Sequence, residues 1–175
     1  MTSHPRGEDP IGPPDSHHLL AALGWLELGL PADAGEEIAR ITPANLNHPD
    51  VLEVRWEICA AGRRWDTGLE LAERLLEVAP DRSSGWIHRA YALRRVPGGG
   101  LERAWEALRP AFEKFPEVSI IPYNLACYAA QFGRLDDAWD WLQKAVTSGA
   151  KKEHLQAMAL VDSDLEAIWP KIREW

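Results

Sequence analysis

The sequence predicts an all-α protein, a solenoid of four helix pairs closed by a C-terminal capping helix. Three observations carry this. Small residues recur at Ala34, Gly68, Ala104 and Ala138, in steps of 34, 36 and 34, a period at which a chain stacks one supersecondary unit on the next. Each is followed four places on by an apolar residue (Ile38, Ala72, Leu108, Leu142) and seven places on by another (Ile41, Leu75, Ala111, Ala145). That is one face of a helix, repeated four times. No stretch shows the two-residue alternation of a half-buried strand.

Residues 1–15, with Pro5, Pro10, Pro13 and Pro14, read as a disordered tail. Asp15 or Ser16 suits a helix cap, and the first helix is expected over 17–28, stopped by Gly29. Pro31 fits the first turn of a second helix reaching residue 41, since the amide it lacks has no partner there. Asp50 and Glu53 have capping-box spacing before a third helix at 51–61, ended by Gly62. Further helices follow at 66–78, 86–95, 101–114, 120–132 and 135–147, and the run Gly98-Gly99-Gly100 accounts for the one longer step. A short helix at 152–160 and a last turn or two after Ser163, again with capping-box spacing to Glu166, end the chain. The pairs divide as 16–48, 49–82, 83–118 and 119–152, with a cap over 153–175.

Short turns force paired helices to run antiparallel, and each pair leaves an apolar face that only the next pair can cover. The small residues mark where helices come closest. Large side chains there would overpack.

Composition narrows function by exclusion. A formal charge of −8 argues against nucleic acid as the main partner. No apolar run approaches a membrane span, and the polar amino terminus lacks the centre of a signal peptide, so the expected location is the cytoplasm. Peripheral membrane contact stays open. Cys59 and Cys127 lie in apolar stretches of different repeats and read as small buried hydrophobes. No HExxH or CxxC spacing occurs, so neither a metal nor a cofactor is expected. Asp136-Asp137 reads as an acidic helix start, and the glycine run lacks a following Lys-Ser/Thr. The expectation is a protein that is not an enzyme.

The stretches Tyr123-Asn124-Leu125-Ala126, Gly133-Arg134-Leu135-Asp136-Asp137-Ala138 and Gln143-Lys144-Ala145 resemble the tetratricopeptide repeat (TPR) without a gap. The third pair fits through Trp86, Ala90, Ala104, Leu108, Ala111 and Pro116. The second fits through Trp65, Gly68, Leu75 and Pro80, although Trp56 stands where the family usually has a small residue. The first is carried by Ala22, Trp25, Gly29 and Ala34. The order of a short helix followed by Asp162-Ser163-Asp164-Leu165-Glu166 resembles the terminating segment of bacterial TPR proteins, a cap over the last repeat.

The resemblance implies that the first helix of each pair lines a concave groove for peptides or partner proteins. By repeat position, Glu53, Glu57, Ile87, Tyr91, Arg94, Arg95, Tyr123, Cys127 and Gln131 belong near it. Tyr91, Arg94, Arg95 and Tyr123 combine aromatic area with fixed positive charge and suit an acidic or aromatic-containing segment. Alternatively, Arg94 and Arg95 merely complement a helix carboxyl end. Asn124 lacks the accompanying lysines of TPR proteins that bind chaperone tails, which argues against that partner. Of nine tryptophans, Trp25, Trp56, Trp65, Trp86, Trp105 and Trp139 fall at packing positions, leaving Trp141 and Trp175 as candidates for the surface.

The leading expectation is a scaffold or adaptor that binds another protein through the groove. Two alternatives remain. One is an adaptor linking bacterial tubulin-like filaments to membrane, as the bacterial kinesin light chain does. The other is a structural module that self-associates as a homodimer through exposed edges or through Trp141 and Trp175.

Overall fold

The computed structural model describes residues 10–175. Ten α-helices and two 3-10 turns make up the described chain, with no strand. They are α1 (Asp15–Glu27), α2 (Pro31–Ile38), α3 (Pro49–Ala61), α4 (Trp65–Val78), α5 (Ser83–Leu93), α6 (Leu101–Lys114), α7 (Ile120–Gln131), α8 (Leu135–Thr147), α9 (Lys152–Ala159) and α10 (Trp169–Arg173). The 3-10 turns are Pro43–Asn45 and Ser163–Ile168. No described helix is long and apolar enough to cross a membrane. The helices form two compact units that divide between Gly98 and Gly99, inside the span expected for the third pair.

In the first unit α1 packs on α2, α3 on α4 and α4 on α5. The repeated face is buried throughout: Ala34, Ala72, Ala104, Leu108, Ala111, Ala138, Leu142 and Ala145 have no exposed surface. α3 is covered on two sides and buries apolar side chains on each. Val51, Val54 and Ile58 join Ala22, Ala34, Ile38 and Ile41 in one cluster, while Leu52, Trp56 and Cys59 join Leu71, Ala72 and Leu75 in another.

Polar side chains fasten the elements at both ends of this unit. Of the segment 1–15 expected as a tail, residues 1–9 lie outside the described residues; Asp15 opens α1 and is buried. Its carboxylate accepts from the Thr42 hydroxyl at 2.6 Å, from Asn45 Nδ2 at 2.8 Å and from the Thr42 amide. These bonds, the Thr42 hydroxyl first and Asn45 next, hold the carboxyl below its ordinary value. It therefore tethers the Pro43–Asn45 turn rather than capping its own helix. The expected capping box at Asp50 and Glu53 is likewise absent. His48 caps α3, accepting from the Asp50 amide, and both carboxylates instead receive Arg82 just before α5, with Ser84 also donating to Glu53.

Trp56 is the residue that departs from the small one usual at its position. Its ring stacks on His88 of α5 at 3.8 Å between centroids and 9° between planes. Burial holds the His88 imidazole down at about 4, against an ordinary 6.5.

In the second unit α6 and α8 both pack on α7, nine of whose residues are buried. Pro110 stays within α6 because it lies on the exposed face with Glu106, whose carbonyl its ring leaves unbonded to the helix. After α9 the chain returns. The Ser163–Ile168 turn packs on α7 and α8, and Leu165, Ile168 and Ile172 are buried. Asp162, rather than Ser163, caps that turn by accepting from the Asp164 amide.

Two outcomes are expected from this packing. Ala138→Leu should lose about 1–3 kcal/mol through overpacking. At Gly85 an added Cβ would lie 3.1 Å from the Leu76 side chain and 3.3 Å from its amide nitrogen, whereas at Gly68 the nearest atom is 3.5 Å away. Gly85→Ala should therefore lower the melting temperature and Gly68→Ala raise it, the latter through helix propensity of about 0.5–1 kcal/mol. An unchanged melting temperature in Ala138→Leu would refute the register.

The half-buried His88 has a pH signature. Its folded pKa is depressed, so between pH 6.5 and 4 the unfolded chain binds more protons. Its share of stability is whole above that window and is lost as pH falls through it, by up to about 3 kcal/mol. His88→Phe keeps a ring on Trp56 and should show a shallower decline in melting temperature on acidification; parallel declines would remove His88 as the cause.

Candidate functional site

The residues expected on one inner surface separate into three groups. Glu53 is engaged by Arg82 and Ser84 and fastens α3 to the start of α5. Tyr123, Cys127 and Gln131 are met by the returning chain. The Tyr123 hydroxyl donates to Asp162 at 2.9 Å, the Cys127 thiol lies 3.5 Å from the same oxygen, and Gln131 Nε2 donates to the Asp164 carbonyl at 3.0 Å. Burial, chiefly, raises the Tyr123 phenol well above its ordinary value. Cys127, Asp162 and Asp164 also bring a thiol and two carboxylates within 4.8 Å of one another, the ligand types of a cation site. In the structure Asp162 uses one oxygen to fasten the returning chain to Tyr123 of α7 and the other to cap its own turn at the Asp164 amide.

The third group is Ile87, Tyr91, Arg94, Arg95 and Glu57, in the first unit. Glu57 is exposed on α3, and its carboxyl is raised by desolvation and then by the Glu53 charge. Ile87 is half-buried on α5, and Arg94 forms that helix's C-cap, where a cation complements the carbonyl end. Tyr91 and Arg95 make the most developed arrangement. Arg95 Nη1 donates to the Tyr91 carbonyl at 2.9 Å, which holds its guanidinium 3.5 Å from the Tyr91 ring centroid. The Trp65 ring, at the start of α4, lies 5.2 Å from the same guanidinium. Tyr91 in turn meets Trp56 and Trp65, each at 5.8 Å. A cation bracketed by aromatic faces is attracted to them and pre-oriented.

Trp65, Tyr91 and Arg95 line a cleft of about 560 Å³ with Ala60, Ala61 and Arg63. Arg63 and Trp65 are the residues that sequence reasoning missed. Arg63 sits in the turn between α3 and α4 with φ at +53°, the one left-handed non-glycine backbone among the described residues. In the corresponding turns between α1 and α2 and between α7 and α8 that conformation belongs to Gly29 (φ 73°) and Gly133 (φ 75°). The three turns share the same hydrogen bonds. The Arg63, Gly29 and Gly133 amides donate to Ala60, Leu26 and Ala130, and the next amide in each reaches the carbonyl five residues back. The signal was available in the register, since Arg63 stands 34 places after Gly29. Gly62 beside it drew attention as the helix stop.

The tryptophans do not sort as expected. Trp141 is packed edge-on against Trp105 and Phe112, with Lys144 3.9 Å above its ring, and Trp175 packs on Trp139 at 5.0 Å. Both are half-buried, like Trp105 and Trp139, so neither is the free surface ring expected for self-association. A second cleft, of about 370 Å³, lies in the other unit along α6 between Trp105, Phe132 and Arg134, where Glu102, Glu106 and Arg109 mix both charges.

No family model and no curated protein matches this chain. Solved structures do. A thermophilic TPR protein of Thermus thermophilus, TTC0263, is similar with a TM-score of 0.70 at 18% identity, over 92% of this chain and 100% of that one. The crystal structure of MamA is similar with a TM-score of 0.65 at 14% identity, over 83% and 81%. A MamA AMB-1 structure in C2221 gives 0.58 at 18% identity, over 91% and 95%. The small-residue period, the helix pairing and these likenesses agree, and the chain has the fold of a tetratricopeptide-repeat array.

Proposed function

We propose that the protein is a non-catalytic protein–protein interaction module that takes an acidic segment of its partner in the cleft of Arg63, Trp65, Tyr91 and Arg95. Arg63 carries the reading. A left-handed backbone costs a non-glycine residue about 1–2 kcal/mol, and glycine holds the equivalent position in the other two turns. Strain of this kind is kept where a side chain is needed for something other than stability. Here the retained side chain is a cation that lines the same cleft as Arg95. Two guanidiniums present planar forks that match carboxylates, and the flanking aromatic rings add area at little entropic cost. TPR-type arrays offer such inner helix surfaces to peptides, in keeping with the fold.

Glu53, Tyr123 and Gln131 fall outside this proposed site because their polar groups are spent within the chain. Tyr91, Arg94 and Arg95, with Ile87 and Glu57 at the margin, remain the residues that a partner would meet.

Selection of a random peptide library on the full chain tests this. Recovered peptides should be enriched in Asp and Glu, and their Kd should rise about tenfold in Arg95→Glu and with added salt. Arg63→Gly should gain about 1 kcal/mol of stability by relieving the turn while binding the same peptides more weakly. Peptides without acidic bias, or a stabilised Arg63→Gly with full affinity, would remove the proposal.

A further inference from the structure

Helix α1 carries leucines on two faces, yet only one face is covered. Leu19, Ala22, Trp25 and Leu26 pack into the first cluster of the unit. On the opposite side Leu20 is 69% exposed, Leu23 38% and Leu28 70%. With Leu30, these are four of the eight large apolar side chains exposed among the described residues, gathered in eleven positions. The inner helix α3 also carries apolar side chains on two sides, and each of those sides feeds a separate cluster. Apolar side chains on two opposite sides suit a helix to being covered from both.

We infer that the open face of α1 pairs with the same face of a second copy of this chain, the two helices running antiparallel about a two-fold axis. The outward residues His17, Leu20, Gly24 and Glu27 follow one another at helical spacing. Their order is self-complementary. When α1 is laid antiparallel on its twin so that Leu20 faces Gly24 of the second copy, His17 faces Glu27 of the second copy, and both contacts occur twice. Nothing lies within 4 Å of where a Gly24 side chain would begin, so that glycine forms a notch for the opposing leucine. The His17 ring can donate to the Glu27 carboxylate, placing a hydrogen bond at each end of the paired Leu20–Gly24 contacts. An isologous contact needs this pattern, the same patch reading correctly against its own reverse.

A single helix pair about 20 Å long is small beside the roughly 1,200–2,000 Å² of a standard interface, so the dimer is a weak one. Sedimentation equilibrium of the full chain should give a monomer–dimer Kd of about 10–100 µM. Leu20→Glu, at an exposed position, should keep the wild-type circular dichroism and raise Kd at least tenfold. Orientation is read by crosslinking. An equimolar mixture of Leu20→Cys and Gly24→Cys proteins should oxidise to a covalent dimer much faster than either protein alone. A wild-type chain that stays monomeric to about 0.5 mM would overturn the second copy as the occupant. A dimer unaffected by Leu20→Glu, or equal crosslinking of each variant by itself, would overturn this surface and this orientation.

Discussion

Side chains no larger than a methyl stand at the repeated buried positions of this protein, and much of the packing follows from that restriction. Ala34, Ala104 and Ala138 are wholly buried, and Gly68 lies 3.5 Å beneath the Trp56 indole nitrogen, measured from where its Cβ would be. Because the close points recur at a fixed interval, successive helices present matching faces, and an inner helix such as α3 can be buried from both sides. Dispersion and apolar burial then accumulate over many small contacts. The polar fastenings at Asp15, Asp50 and Glu53 sit at the margins of that packing and set where connections cross.

The helices were legible in the sequence wherever the period and a turn signal coincided. α6 and α8 occupy 101–114 and 135–147, the spans that the apolar face and the flanking glycines and prolines predict. Capping was legible less often, for a definite reason. Spacing identifies residues able to cap, but Asp50 and Glu53 have a better use in Arg82, some thirty residues away, and a local pattern contains no information about that neighbour. Asp162 took the cap expected of Ser163 because its carboxylate also reaches Tyr123. Long-range pairing decided both cases.

The candidate site shows the same division. Repeat position put Tyr91 and Arg95 on one inner helix, and the Arg95 hydrogen bond and ring stack complete that arrangement. It also put Tyr123 on an inner helix, where the structure finds it buried under residues that follow it by about forty places. A register gives the face of a helix; it does not say which part of the chain later comes to lie there. Arg63 is the opposite case. Its position was readable by counting from Gly29, and what made it informative was a backbone angle that no residue name reveals.

The closure of α7 by the returning segment bears on how the protein is made. Leu165, Ile168 and Ile172 bury themselves against a unit whose central helix was synthesised long before them. The first unit has its clusters assembled from residues 11–79 and can form while translation continues. In the second, the side of α7 that carries Tyr123 and Gln131 stays open until the Ser163–Ile168 turn emerges. A ribosome that stalled in that interval would release a chain with one finished half and one sticky half, which is the species that chaperones and proteases select.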